Sequence, residues 1–142
     1  VKLILERWNA FLKEGEDMAR VSKAVMFDDE GKLLILKRAP RLITELSPWE
    51  WDLPGGHVNK GEKDMVALAR EIKEETSLFI SRAPDWYMLD KDTRFYLLRE
   101  WSGEIMLSDE HSEYKWIEPE EASNYNIGKR YLKAIKEAAA RL

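Results

Sequence analysis

Glu71, Glu74 and Glu75 fall within five consecutive positions of the stretch 56–78, GHVNKGEKDMVALAREIKEETSL. On a helix turning about 100° per residue they share one arc of roughly 100°, with Ala67 inside it. Like charges this close oppose folding unless something positive sits among them. One answer is a metal ion. Six carboxylate oxygens along a rigid element suit Mg²⁺ or Mn²⁺, which take oxygen ligands and complete an octahedral shell with water and substrate phosphates. The other answer is a solvated acidic face paired with Lys60, Lys63, Lys73 and Arg70. Arg70 stands four residues before Glu74, the weaker orientation for a helical ion pair. Spacing alone leaves both open.

The element that must carry these carboxylates is residues 63–76, KDMVALAREIKEET. Met65, Leu68, Ala69, Ile72 and Thr76 recur at helical spacing and predict a core-facing side, with the glutamates along its edge. The small Ala67 is expected to leave space beside them. Before the helix, Pro54-Gly55-Gly56 forces a tight bend that leaves backbone groups unshielded, and Asn59 to Glu62 makes a second turn. A glycine loop feeding a carboxylate helix is a cradle for metal and phosphate.

Other elements follow from the same patterns. Val21 to Phe27 and Lys32 to Arg38 read as strands joined by a turn at 28–31 into a hairpin. The apolar run of the second predicts burial on both faces. Residues 39–48 read as loop, 50–53 as a brief strand, and 86–90, 94–101 and 113–117 as further strands. Ile127 to Leu142 reads as a closing helix. The order predicts a mixed β-sheet with helices packed on it, an α/β sandwich. With no repeat or linker, the expectation is a single domain over residues 1–142.

Gly56, five residues, Glu62, seven residues, then Arg70-Glu71-Ile72-Lys73-Glu74-Glu75-Thr76-Ser77-Leu78 resembles the signature of the Nudix hydrolases. Every defined position matches except Ser77, where the family has glycine. Trp51-Asp52-Leu53-Pro54-Gly55 is similar to a lead-in frequent in that family. The resemblance implies an α/β/α sandwich that hydrolyses a nucleoside diphosphate linked to another moiety. It implies Mg²⁺ held by Glu71, Glu74 and Glu75 with the Gly55 carbonyl, Arg70 orienting a carboxylate, and Gly56 and Glu62 supporting the loop. Ser77 is expected to cost roughly 1 kcal/mol if the helix ends left-handed, or to end the helix differently. Either way the ligands are untouched.

Water attacking a diphosphate bridge needs a proton acceptor. Glu71, in the middle of the acidic arc, is the first candidate. Glu113 is the second, because His111-Ser112-Glu113-Tyr114-Lys115-Trp116 is similar to a segment of small family members that supplies an extra glutamate. A turn with a surface ion pair accounts for the same residues. Arg38, Lys37 or Arg41 are candidates to reach a phosphate. Of six tryptophans, Trp49 and Trp51 are those expected to line a pocket and offer a stacking face.

Composition narrows the field. A net charge of −4 argues against a nucleic-acid polymer as partner, whereas a small anionic nucleotide remains compatible with a bound cation. No cysteine is present, which excludes disulfides, thiolate zinc and cysteine nucleophiles. No apolar run approaches membrane-spanning length, and the opening VKLILERWNAFLKEGE lacks a secretory pattern, so the cytoplasm is the expected address. Leu3, Leu5, Trp8, Phe11 and Leu12 there suggest the apolar side of a lead-in element. The first reading is a nucleoside triphosphate pyrophosphatase. The alternatives are hydrolysis of dinucleoside polyphosphates or ADP-sugars, and a non-catalytic nucleotide sensor. A homodimer is compatible with the resemblance but has no supporting residue.

Overall fold

A computed structural model describes residues 19–142; the lead-in at 1–18 lies outside them. The strands are β1 (Val21–Met26), β2 (Leu33–Arg38), β3 (Trp51–Asp52), β4 (Gly55–His57), β5 (Phe79–Ile80), β6 (Asp85–Asp90), β7 (Thr93–Leu98), β8 (Trp101–Ser102) and β9 (His111–Ile117). The helices are α1 (Asp64–Thr76) and α2 (Lys129–Ala139), with short 3-10 turns at Pro40–Leu42 and Pro119–Asn124.

A mixed sheet runs β4-β1-β7-β6, in which β1 and β7 are parallel and the outer pairs antiparallel. A second, antiparallel sheet runs β3-β2-β9. Alternation along β1 and β2 explains their continuous apolar runs. Ala24, Met26, Leu34 and Leu36 pack in one cluster with Leu68 and Ile72 of α1. Val25, Phe27, Leu33 and Ile35 pack in another with Ala134, Ile135 and Ala138 of α2. Both faces of these strands are therefore covered by helices, the expected α/β/α sandwich.

The expected hairpin is not one. β1 and β2 share a single bridge, Phe27 to Leu33, and then enter different sheets. The strand expected at 94–101 is two, broken at 99–100.

Helix α1 is fastened at both ends. At its start the buried Asp64 takes the Arg94 guanidinium (3.1 Å) and the Ala19 N–H (3.2 Å), while its carbonyl accepts from Ser22 Oγ (3.0 Å). At its end Ser77 adopts φ 65°, the left-handed conformation that glycine would take there. Its N–H reaches Lys73 O (2.9 Å) and its Oγ donates to Met106 O (3.0 Å). The hydroxyl thus offsets part of the conformational cost. Two expectations for α1 change. Ala69 is exposed, and Ala67 is fully buried, so alanine leaves no room beside the carboxylates.

Candidate active site

A cleft of about 690 Å³ opens beside α1, and Gly55, Gly56, Glu71 and Glu75 line it. Room for Glu71 comes from Gly56. A Cβ there would lie 2.6 Å from Glu71 Cδ and Oε2, so only glycine lets that carboxylate rest against the backbone. Gly55, at φ 130°, lets β4 pair with β1, since a Cβ would fall 2.1 Å from Ser22 O.

The positive group among the glutamates is Arg70. Its Nε and Nη2 fork onto Glu62 (2.9 and 3.0 Å), and Nη2 also reaches His57 O (3.0 Å). Nη1 is shared by Glu71 Oε1 (2.9 Å) and Glu74 Oε2 (3.2 Å). Bonds from Arg70, then from the Asn59 N–H, hold the Glu62 carboxyl down to about 2. Glu62 and Arg70 thereby lock the 57–62 loop to α1. Glu74 is 58% exposed and does not line the cleft.

Glu75 is placed very differently. Its side chain is 5% exposed, and Oε1 accepts the Gly55 N–H at 2.8 Å. Burial pushes its pKa up to about 8, against the pull of Lys23 and the Gly55 N–H. His111 Nε2 stands 3.7 Å from Oε2. Burial holds that imidazole down to about 4, so it is neutral near pH 7 and supplies no counter-charge. Lys23 donates at 3.1 Å to each of Asp52 Oδ2, Leu53 O and Gly55 O. Burial alone would lower its pKa, but Asp52, Tyr131 and Glu75 together raise it, so the ammonium stays charged. The Gly55 carbonyl expected to face a metal thus accepts from Lys23.

Among the described residues no three acidic, histidine or cysteine side chains are gathered into a ready-made metal cluster. The cleft does offer hard oxygen donors: Glu71 Oε2 against Gly56, and the buried Glu75 carboxyl, which has no direct ion pair with a lysine or arginine among the described residues. That set fits a divalent ion that keeps several waters and takes one or two carboxylates from the protein.

The remaining expected residues separate. Arg38 lines the cleft but donates to three carbonyls, Leu42 O (2.7 Å), Trp49 O (2.8 Å) and Ser47 O (3.0 Å). It organises a loop rather than presenting a free guanidinium. Trp51 is 7% exposed, edge-on to Tyr125 at 5.3 Å and flanked by Lys37 and Lys115. Glu113 is exposed, lies 4.0 Å from Lys115 and does not line the cleft. Glu110 lines it instead. Glu113 pairs with Lys37, which also stays out of the cleft, whereas past a bulge His111 pairs with the cleft-lining Arg38.

Sequence reasoning passed over Lys23, Lys91, Glu110, Lys129 and Arg130, all lining the cleft. For Lys23 a signal existed: a lysine inside the strand VSKAVM has to be paired or functional.

The NUDIX domain family model matches residues 18–138. A nucleoside triphosphatase, NudI of Salmonella paratyphi B, is 30% identical, the match covering 78% of this chain and 92% of that protein. Among solved structures, MutT from a study of Aliivibrio salmonicida and Vibrio cholerae superposes with TM-score 0.70 at 19% identity, covering 87% and 98% of the two chains. An Ap4A hydrolase of C. elegans superposes with TM-score 0.64 at 24% identity, covering 85% and 96%. A signature matched at every defined position but Ser77, a sandwich that sets two of its glutamates in one cleft, and a family match over most of the sequence agree: this chain belongs to the Nudix family, as a MutT-like hydrolase of phosphoric anhydride bonds.

Proposed function

We propose that this chain is a nucleoside triphosphate pyrophosphatase that works with Mg²⁺, or Mn²⁺ in its place, as one domain in the cytoplasm. The observation that carries the reading is charge placement within one cleft. Glu71, Glu75 and Glu110 supply acid, while Lys91, Lys129 and Arg130 supply base. A polyphosphate needs both, cations for its outer oxygens and carboxylates to hold the ion at its reacting centre.

Glu71 and Glu75 would hold the cation, with Glu74 joining from the solvent side, while the Gly55 carbonyl stays with Lys23. When bound, the ion supplies charge neutralisation on the bridge and an acidified water. Glu71, freed on one oxygen by Gly56 and held on the other by Arg70, takes the proton of the attacking water. As the water oxygen bonds to the α-phosphorus, the bridging bond from that phosphorus to the β-phosphate breaks, and the leaving pyrophosphate departs towards Lys129 and Arg130. Lys23 holds Asp52 and the 53–55 backbone in place, so the glycine loop stays rigid beneath Glu75. Glu110 is the second candidate for the base, in place of Glu113.

A panel of nucleoside triphosphates, dinucleoside polyphosphates and ADP-sugars with Mg²⁺ tests this. Pyrophosphate release from triphosphates, well above a Glu75→Gln background, is the expected result. Cleavage confined to the other two classes moves the substrate assignment, and no cleavage of any member overturns the reading.

A further inference from the structure

One tryptophan of the cleft is built unlike its neighbour. Trp51 has its ring enclosed, but Trp49 is 40% exposed, and among the described residues no aromatic ring or cation covers it. Its indole rests on Gly128. A Cβ at that glycine would stand 3.4 Å from Nε1 and 3.6 Å from both Cδ1 and Cε2. Near-equal distances to the nitrogen and both flanking carbons mean that the face of the ring, not its edge, lies on the glycine. An edge-on approach would leave the carbons much farther away than the nitrogen. The opposite face is therefore turned from the backbone, in the wall of the cleft that also contains Leu42 and Leu46.

The loop carrying Trp49 is held before any ligand arrives. The Arg38 guanidinium ties Leu42, Ser47 and Trp49 by their carbonyls, and Thr44 and Ser47 exchange backbone bonds at 3.1 Å. On either side of the ring, Asn126 bonds Pro48 O through its amide (3.4 Å) and Trp51 N–H through its carbonyl (3.1 Å). Seven hydrogen bonds in the segment around a half-exposed indole are a costly arrangement for a surface ring. They suit a rigid platform whose ordering is complete before binding.

Accepting the nucleotide reading above, we propose that Trp49 is the stacking platform for the substrate's base, and that Arg38 is its positioning residue. The base lies on the indole face turned from Gly128, while the polyphosphate extends towards Glu71 and Glu75. Recognition by a face, with Arg38 spent on carbonyls, makes the site tolerant of which base it holds.

The test is a split between KM and kcat. Trp49→Ala is expected to raise KM for purine nucleoside triphosphates about ten- to hundredfold, the loss of one base-stacking contact, with kcat changed far less. Trp49→Phe keeps most of the affinity, and Arg38→Lys, unable to span three carbonyls, raises KM by an intermediate factor. A second readout needs neither metal nor turnover. Adenosine monophosphate titrated in EDTA quenches the intrinsic fluorescence of the wild type, and Trp49→Phe removes that quenching at an unchanged Tm. If Trp49→Ala leaves both KM and quenching unaltered while the wild type turns over nucleotides, the platform is wrong and the hydrolase stands. If the wild type turns over nothing but Trp49 is still quenched, the platform stands and the hydrolase reading fails.

Discussion

The two flanks of α1 carry the same side chain in opposite circumstances. On the solvent flank Glu62 and Glu74 converge on Arg70, and the fold itself supplies their counter-charge. On the cleft flank Glu75 is buried with one backbone N–H and a neutral imidazole, and burial raises its pKa to about 8 against the pull of Lys23. Glu71 spans the two, with one oxygen on Arg70 and the other against Gly56. On the solvent flank each carboxylate touches the guanidinium, whereas on the cleft flank the Lys23 ammonium acts on Glu75 without a direct ion pair. The proposed cation would complete the cleft flank as Arg70 completes the other.

The sharpest way to break this contrast without touching a charge is Gly56→Ala. The new Cβ would contact Glu71 Cδ and Oε2 and displace the carboxylate that joins the flanks. Activity is expected to fall about ten- to hundredfold, with a stability cost of about 1–3 kcal/mol, read by kcat and by chemical denaturation. Glu74→Gln comes next. An exposed ion pair contributes under about 1 kcal/mol, so Tm should barely move. Activity should fall by about tenfold and be recovered by raising Mg²⁺, because Glu74 would join the ion only from outside. A loss as large as that of Glu75→Gln would erase the distinction between the flanks. The smallest effect concerns acid. The folded Glu62 carboxyl sits at about 2 against an ordinary 4.5, so its contribution is complete above about 4.5 and is lost as pH falls towards 2. Glu62→Gln should therefore flatten the pH dependence of Tm in that window and leave the neutral-pH activity nearly intact.

How much of this was legible in the sequence depended on how local each feature is. The acidic arc and the core stripe of α1 follow from periodicity within one element, and Ser77 ends the helix in the glycine-like conformation its position suggests. The apolar run of β2 correctly announced burial on both faces. The assignment of β1 and β2 to separate sheets did not show, because strand pairing is decided by partners such as Thr93–Leu98 and His111–Ile117, many residues away. In β9 regular pairing sets Glu113 beside Lys37 and out of the cleft, while the adjoining bulge brings His111 to Arg38, a switch that alternation cannot reveal. Arg38 and Lys23 were hardest to read. Each is committed to backbone carbonyls, and carbonyl positions are a product of the finished fold.

Thermal unfolding with and without Mg²⁺ reads out whether Glu75 holds the proposed divalent cation. Anything that binds only the folded state raises Tm with concentration. The wild type should therefore gain several degrees in millimolar Mg²⁺ at pH 7.5, relative to EDTA with matched ionic strength. Glu75→Gln should fold at least as well as the wild type in EDTA and gain little or nothing from Mg²⁺. An equal Mg²⁺ gain in both proteins, or none in the wild type, would contradict the account.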